Sequence, residues 1–461
     1  MFDNFRRLMG GGRTSAQPAA PKRTVAAGPV RVLIAPVTGD ETGSLQQHLH
    51  QALAGRTSLT VDLHTRAVAS GTELPARIAS AAQAGRNALD KAGAEVLLWS
   101  EIGRGVLRIR FVTLPAPMEF GSGAPLPTEH LDLPADLTDE QADVLEMLVL
   151  AAARPADDDI RKARADSFRA SITAGMRVLA RNGLPQSCMP AGQAWLGNLA
   201  LHPTLRNSMS DVEQAVQRYR GALGRGAEVL GEPMVAGIRC HLSAALAALA
   251  AEGRDSAGME EAATMAQAAS AVITRETMPE EYAAIQALLG WIYQRRGQID
   301  NRTTHLREAV QAYQLACSVW TKASHPAKWA EMQVSVGRLL TTLGEFTHTG
   351  EFLDQAVGVF QGVAKVYGRA KAPVFWGNLQ NNIGAALFAK SKRTNSPADL
   401  NAAAAAYREA VAVFEEHKIA RNAQVAKKNL HRVERLVQMR AGDAGGAEGA
   451  KAKAKPVKAD G

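Results

Sequence analysis

A repeat of 47 residues constrains this chain more than any single motif. Pro326, Trp329 and Gly337 recur 47 residues later as Pro373, Trp376 and Gly384, and 47 residues earlier as Pro279, Tyr282 and Gly290. A second set keeps the step: Leu306, Leu353 and Leu400; Ala309, Ala356 and Ala403; Tyr313, Phe360 and Tyr407. Within each copy a small residue, an aromatic and another small residue fall four and three apart, on one face of a helix. A unit of this size cannot bury its apolar face alone, so neighbouring copies must stack. The expectation is a helical array over residues 185–437. In it proline opens a helix, the aromatics Tyr282, Trp329 and Trp376 plug the joint between copies as core, and glycine admits the next helix.

The rest of the chain sets the context. At 461 residues there is room for two to four domains. Aromatics are only 5 % and alanine is abundant, which favours helices packed through small residues. A net charge of +8 suits an acidic partner but is too modest at this length to imply nucleic acid. Cys188, Cys240 and Cys317 are far apart and odd in number, so they read as reduced, buried thiols. The N-terminus lacks the apolar core and cleavage site of a signal peptide, and no run approaches the ~18 apolar residues of a membrane span. The expected localisation is cytoplasmic, with membrane contact peripheral if any.

Residues 1–29 read as a flexible segment. Phe2, Phe5, Leu8 and Met9 fall on one helical face before three glycines, as a docking peptide or weak surface anchor would. Residues 30–134 change period. Strands are expected at 30–37, 58–64, 95–100, 105–114 and, more weakly, 130–133, with helices at 43–54 and 75–92 between them. Arg108 and Arg110 alternate with Leu107, Ile109 and Phe111, which predicts a half-exposed strand. This order gives a small α/β domain with a mixed sheet. Residues 115–137 read as a Pro- and Gly-rich loop or linker.

Thr138 with Gln141 has the spacing of a capping box. Residues 138–184 read as connecting helices, the second opening on Asp157, Asp158 and Asp159, where a helix dipole favours anions. Residues 438–461 lose apolar periodicity and read as a disordered Lys/Ala/Gly-rich tail.

Two resemblances follow. Ala35-Pro36-Val37 after the first strand, and Ala94 to Ser100 (AEVLLWS), are similar to the N-terminal α/β module of TolB-like proteins. This implies an interaction module and transfers no catalytic residue. The repeats resemble tetratricopeptide units: Gly290 and Gly297 with Ala309, Tyr313 and Ala316; Gly337 and Gly344 with Ala356, Phe360 and Val363; Gly384 with Ala403, Tyr407 and Ala410. Leu196-Gly197 with Ala215, Tyr219 and Ala222 give an earlier copy, and the copy around Ser243 is degenerate. The family repeat is about 34 residues, so these are long units; HEAT-type pairs, of about 40–47 residues, are the alternative. The expected fold class is α+β multidomain: a small α/β domain, then an all-α superhelical solenoid.

No catalytic constellation stands out. His48 and His50 face different ways on a helix, and His305, His325, His348 and His417 are scattered. H-E-x-x-H, C-x-x-C, G-x-S-x-G and G-x-G-x-x-G are absent from suitable contexts. The expectation is a non-enzyme with no cofactor and no metal. The tetratricopeptide resemblance implies that first helices line a groove. It would carry Trp291 and Arg295; then Glu331 and Arg338, with Thr341 and Thr342; then Asn378 and Asn381, with Phe388; and finally Lys428, Arg432 and Arg435. Asn can bind peptide backbone in both directions, and Arg and Lys clamp carboxylates. The partner class is therefore a protein or peptide, acidic in character, with self-association open and nucleic acid disfavoured. The functional expectation is an interaction scaffold or adaptor. Its rivals are a signalling regulator whose α/β head senses a ligand, and a nucleic-acid-associated protein using the basic C-terminal region.

Overall fold

The computed structural model describes residues 28–103, 105–114, 120–153, 160, 163–181 and 184–453. The N-terminal amphipathic stretch, the Asp157–Asp159 run and the last eight residues lie outside these. The chain divides into two compact units, one ending at Asp300 and the other starting at Asn301.

The first unit begins with a five-stranded sheet: β1 (Val30–Ile34), β2 (Leu59–Leu63), β3 (Val96–Gly103), β4 (Val106–Thr113) and β5 (His130–Pro134), in the order β2-β1-β3-β4-β5. β1 is parallel to β2 and β3, and the other pairs are antiparallel. Helices α1 (Ser44–Ala54) and α2 (Leu74–Ala92) make the two crossovers. The register sorts the residues into two faces, because neighbours along a strand point oppositely. Val32, Ile34, Val96, Leu98, Leu107, Ile109, Phe111, Leu131 and Leu133 share one face and build the main core. That core takes in Leu49 and Leu53 of α1, Val144 to Ala152 of α3 (Asp139–Ala152) and Trp195 and Leu199 of α5 (Met189–Ala200). α2 lies on the opposite face, where a Cβ on Gly85 would stand 3.0 Å from Val112.

The capping box forms: Gln141 N donates to Thr138 Oγ1 at 3.3 Å, and Thr138 N to Gln141 Oε1 at 3.1 Å. Two expectations need correction. β4 is not half-exposed: Arg110 is 1 % exposed, paired with Glu101 at 2.7 Å and lying 4.9 Å from the Trp99 ring. The stretch 120–130 is irregular but buried. It starts with a 3₁₀ turn at Phe120–Ser122, and Glu129 and His241 lock it to the helices. Trp195 Nε1 donates to the His130 carbonyl at 3.1 Å.

α4 (Ala165–Ala180) and α5 precede α6 (Met209–Leu230), α7 (Glu232–Gly253), α8 (Ser256–Ser270) and α9 (Pro279–Asp300), which complete the unit. α7 is long and apolar enough to cross a bilayer, and 83 % of its apolar window is buried among the other helices. Arg239 and His241 interrupt the apolar letters, which is why it escapes a search for unbroken runs.

The second unit holds α10 (Thr303–Cys317), α11 (Pro326–Thr347), α12 (Gly350–Val366), α13 (Pro373–Thr394), α14 (Pro397–Glu416) and α15 (Ala420–Lys453). The period appears in the helix starts. A helices open at Glu232, Pro279, Pro326, Pro373 and Ala420, and B helices at Ser256, Thr303, Gly350 and Pro397, each 47 residues after the last. The A helices α7, α9, α11 and α13 are followed by Arg254, Asn301, His348 and Asn395, which repeat the step and all take the left-handed conformation that ends a helix. α15 corrects the expected tail, because helix persists to Lys453. Ala, Lys, Arg and Glu are good helix formers, and the next proline stands only at 456.

Candidate functional site

The repeats place their side chains through one contact. A Cβ added to Gly337 would lie 2.6 Å from the Phe360 ring, and one on Gly384 2.9 Å from Tyr407. Gly197 and Tyr219 repeat this in the first unit at 2.6 Å. The A helix thus lies directly on the aromatic of its B helix, and both rings are buried. Trp320, Tyr367 and Phe414 also keep the 47-residue step at the ends of B helices and are buried to 4 % exposure or less. The sequence reading missed that set. Tyr282, Trp329 and Trp376, expected as core, are only half-buried. They sit in the first turn of their helices, where the helix end meets solvent; Arg369 lies 5.9 Å from the Trp376 ring.

With the B helices carrying the plug, the A helices of the second unit meet one another: α11 contacts α13, and α13 contacts α15. Arg338 on α11 is exposed. Desolvation nevertheless pulls its guanidinium below its ordinary value. The two facts agree if the charge sits at the base of a concavity, open to water above and walled by protein beside. Glu331 is half-buried about two turns earlier on α11. Thr341 and Thr342 donate back to their own helix at Gly337 O and Arg338 O, at 2.9 and 3.1 Å.

Asn378 and Asn381 of α13 are half-buried and bridged rather than open. Asn422 Nδ2 donates to Asn378 Oδ1 at 3.0 Å, and Asn429 Nδ2 to Asn381 Oδ1 at 3.2 Å. The amides expected to read a peptide backbone therefore stitch α13 to α15, with an amide proton pair left on each α13 asparagine.

Lys428, Arg432 and Arg435 are exposed on α15. Gln424, Lys427, Lys428, His431 and Arg432 line a shallow open depression. Lys427 and Glu434 are spoken for, by Glu415 at 2.5 Å and Arg408 at 2.8 Å. Lys392 and Arg432 approach the Phe388 ring, at 4.3 and 6.0 Å. The result is a cationic strip with an aromatic inset at the α13–α15 seam.

In the first unit, Trp291 on α9 is 8 % exposed and Arg295 lies 5.8 Å from its ring. Arg295 Nη1 donates to Gln298 Oε1 at 3.1 Å. Trp291 is therefore packing, with Arg295 laid along it.

Among the described residues no group of three or more His, Cys, Asp or Glu could hold a metal ion. Cys188 and Cys240 are buried free thiols, and Cys317 is half-buried, its pKa raised by burial to about 11. None is activated as a nucleophile.

No family model matches the sequence, and no curated protein matches it. Among solved structures, the crystal structure of BtubC (BKLC) from P. vanneervenii is similar over 55 % of this chain and 94 % of that one, with 15 % identity and a TM-score of 0.27. A likeness at that level says nothing about what this chain does.

Proposed function

We propose that this chain is a non-enzymatic adaptor of tetratricopeptide-like build, whose A helices offer a cationic surface to an acidic segment of a protein partner. The observation that carries the reading is a set of cations on A helices with no carboxylate partner among the described residues: Arg338 on α11, and Lys428, Arg432 and Arg435 on α15. Exposed surface ion pairs contribute little to folding, so charges left unpaired on a stacked array are free to serve binding. Guanidinium groups favour bidentate contact with carboxylates, and Phe388 beside Arg432 gives an apolar side chain a place to lie.

The test is co-purification of the intact protein from its own cell, beside the triple variant Arg338→Glu, Arg432→Glu and Arg435→Glu. All three positions are exposed, so circular dichroism and melting should be unchanged. A partner retained by the natural protein should be lost by the variant, and its binding should weaken as salt rises. An unchanged partner set would end this reading.

A further inference from the structure

The face of the sheet opposite the main core changes character along the strands. The register places Leu97 beside Val112, then Trp99 beside Arg110 beside His130, then Glu101 beside Arg108 beside Asp132. The first row is apolar. The outer row is ion-paired: Arg108 holds Asp132 by two bonds of 2.8 Å, and Glu101 takes Arg110 at 2.7 Å and also Arg77 of α2. The middle row differs from both. Trp99 and Arg110 are 1 % exposed and His130 2 %. The Arg110 guanidinium lies 4.9 Å from the Trp99 ring.

Each member of that row keeps a nitrogen with no hydrogen-bond partner among the described residues: Trp99 Nε1, Arg110 Nε and His130 Nδ1. Buried polar groups in folded proteins are nearly always paired, so three in one row call for an occupant. An indole N–H and a guanidinium Nε–H can only donate, so the occupant must accept. Burial, with Arg108 and Arg110 nearby, holds His130 well below the usual histidine range and keeps its ring neutral, with one N–H to give. The charge balance adds a second condition. Arg77, Arg108 and Arg110 face only Glu101 and Asp132; Arg77 and Arg108 reach the exposed rim, and the buried Arg110 shares Glu101 with Arg77, so its charge is only partly offset. Water would accept the hydrogen bonds but leave that charge partly uncompensated, and an uncompensated buried charge is costly.

We infer that the Trp99–Arg110–His130 row is a binding site for a small monoanion, either a halide or a compact carboxylate. The ion accepts from Trp99 Nε1 and Arg110 Nε, and from His130 Nδ1 in the tautomer that protonates it, with His130 Nε2 3.7 Å from Asp132, and it offsets the charge on Arg110. Its way in is the rim formed by Arg77, Glu101 and Arg108, whose side chains are 24 %, 16 % and 34 % exposed. The site is independent of the cationic strip on α15.

The full-length protein, dialysed into sodium sulfate, tests this through its tryptophan indole resonances. Bromide and formate are titrated separately at constant ionic strength. The Trp99 resonance should move, or be replaced, saturably in at least one titration. Response to bromide alone assigns a halide site, and response to formate alone a carboxylate site. Trp99→Phe keeps the packing, removes that resonance and so assigns it. It should also raise the anion concentration giving half the stabilisation against heat by about tenfold, as loss of one hydrogen bond to a charged group implies. Should that variant not fold, replacing the other tryptophans one at a time assigns the signal by elimination. A Trp99 resonance that stays still in both titrations, or drifts linearly with the other indoles, overturns the inference.

Discussion

The first unit and the repeats of the second fill their interiors by different means. In the first, carboxylates and guanidinium groups are carried inside and satisfied by distant residues. Glu146 takes Arg56 at 2.5 Å and Ser171 at 3.1 Å, and Arg56 also holds Asp143 at 2.6 Å. Glu129 takes Asn198 at 3.1 Å, which in turn accepts from Tyr219 at 2.7 Å. Arg56 and Glu146 are 90 residues apart, and Glu129 and Asn198 are 69 apart. In the second, Gly337 meets Phe360 and Gly384 meets Tyr407, neighbours in adjacent helices, without any charge. A local apolar contact can be copied from repeat to repeat. A buried polar network is fitted once and tolerates no copy.

The sharpest way to break this contrast is to cut one charge from each unit. Arg110→Ala takes one of two guanidinium partners from Glu101, which keeps Arg77, and leaves a hole in the middle row of the sheet; large-to-small changes at buried positions cost about 2–5 kcal/mol. Arg369 of the second unit pairs with Glu416 at 3.0 Å, but both side chains are about half-exposed. Arg369→Ala should cost under about 1 kcal/mol. Chemical denaturation of both variants measures the difference. Equal losses would mean that the charges in the first unit are as dispensable as those on the surface.

The same contrast explains what could be read from the sequence. The helix pairs from Pro279 onward follow from proline, glycine and aromatic at one offset. The strands and first helices follow from period two giving way to period 3.6. The copy beginning at Glu232 was harder to see because it trades volumes: Ser243 stands at the glycine position and Ala266 at the aromatic one. The smaller partner makes room for the hydroxyl, which donates to Ala262 O at 2.7 Å. The exposed cations of the candidate site were legible as charges on an A-helix face. The Asn378–Asn422 and Asn381–Asn429 bridges were not, because each pairs residues 44 or 48 apart, just off the repeat step. Nothing local marked Trp99, Arg110 and His130 as neighbours; only strand register brings them together.

A second experiment sharpens the apolar side of the comparison. Gly337→Ala pushes a methyl group into Phe360, and such overpacking costs about 1–3 kcal/mol. Phe360→Leu alone leaves space and is also destabilising. If the contact is the one described, the double variant should lose less than the sum of the two, by at least about 0.5 kcal/mol in a double-mutant cycle. Strict additivity would mean that the glycine is there for another reason.

A smaller effect tests a polar device at the surface of the first unit. Asp211 accepts from the backbone of Asn207 at 2.7 Å and Ser208 at 2.9 Å, ahead of α6. These bonds, the Asn207 one foremost, lower its pKa beneath the ordinary aspartate value of 3.8. A carboxylate whose folded pKa lies below its unfolded one contributes stability above the unfolded value and loses it as pH falls through the folded one. Asp211→Asn should therefore cost about 1 kcal/mol near neutral pH, as lost caps do. The gap from the natural protein should close as pH drops below 3.8 toward the lowered value. A gap unchanged at low pH would assign the effect to packing.

The smallest expected effect asks whether the period extends to backbone strain. Arg254, Asn301, His348 and Asn395 follow their A helices with φ between 51° and 58°, a conformation that costs most side chains about 1–2 kcal/mol and asparagine less. Glycine removes that cost but adds freedom to the unfolded chain, so the net gain is a fraction of it. Arg254→Gly in the first unit and His348→Gly in the second should each raise stability by about 0.5 kcal/mol, while Asn395→Gly should bring no gain, because asparagine tolerates the conformation and its Oδ1 accepts from Arg440 at 3.1 Å. Equal gains at all three positions would show that the strain does not depend on the side chain. A loss at Arg254 alone would show that its side chain does something in the first unit that the repeat does not require, which is the expectation wherever that unit departs from periodic packing.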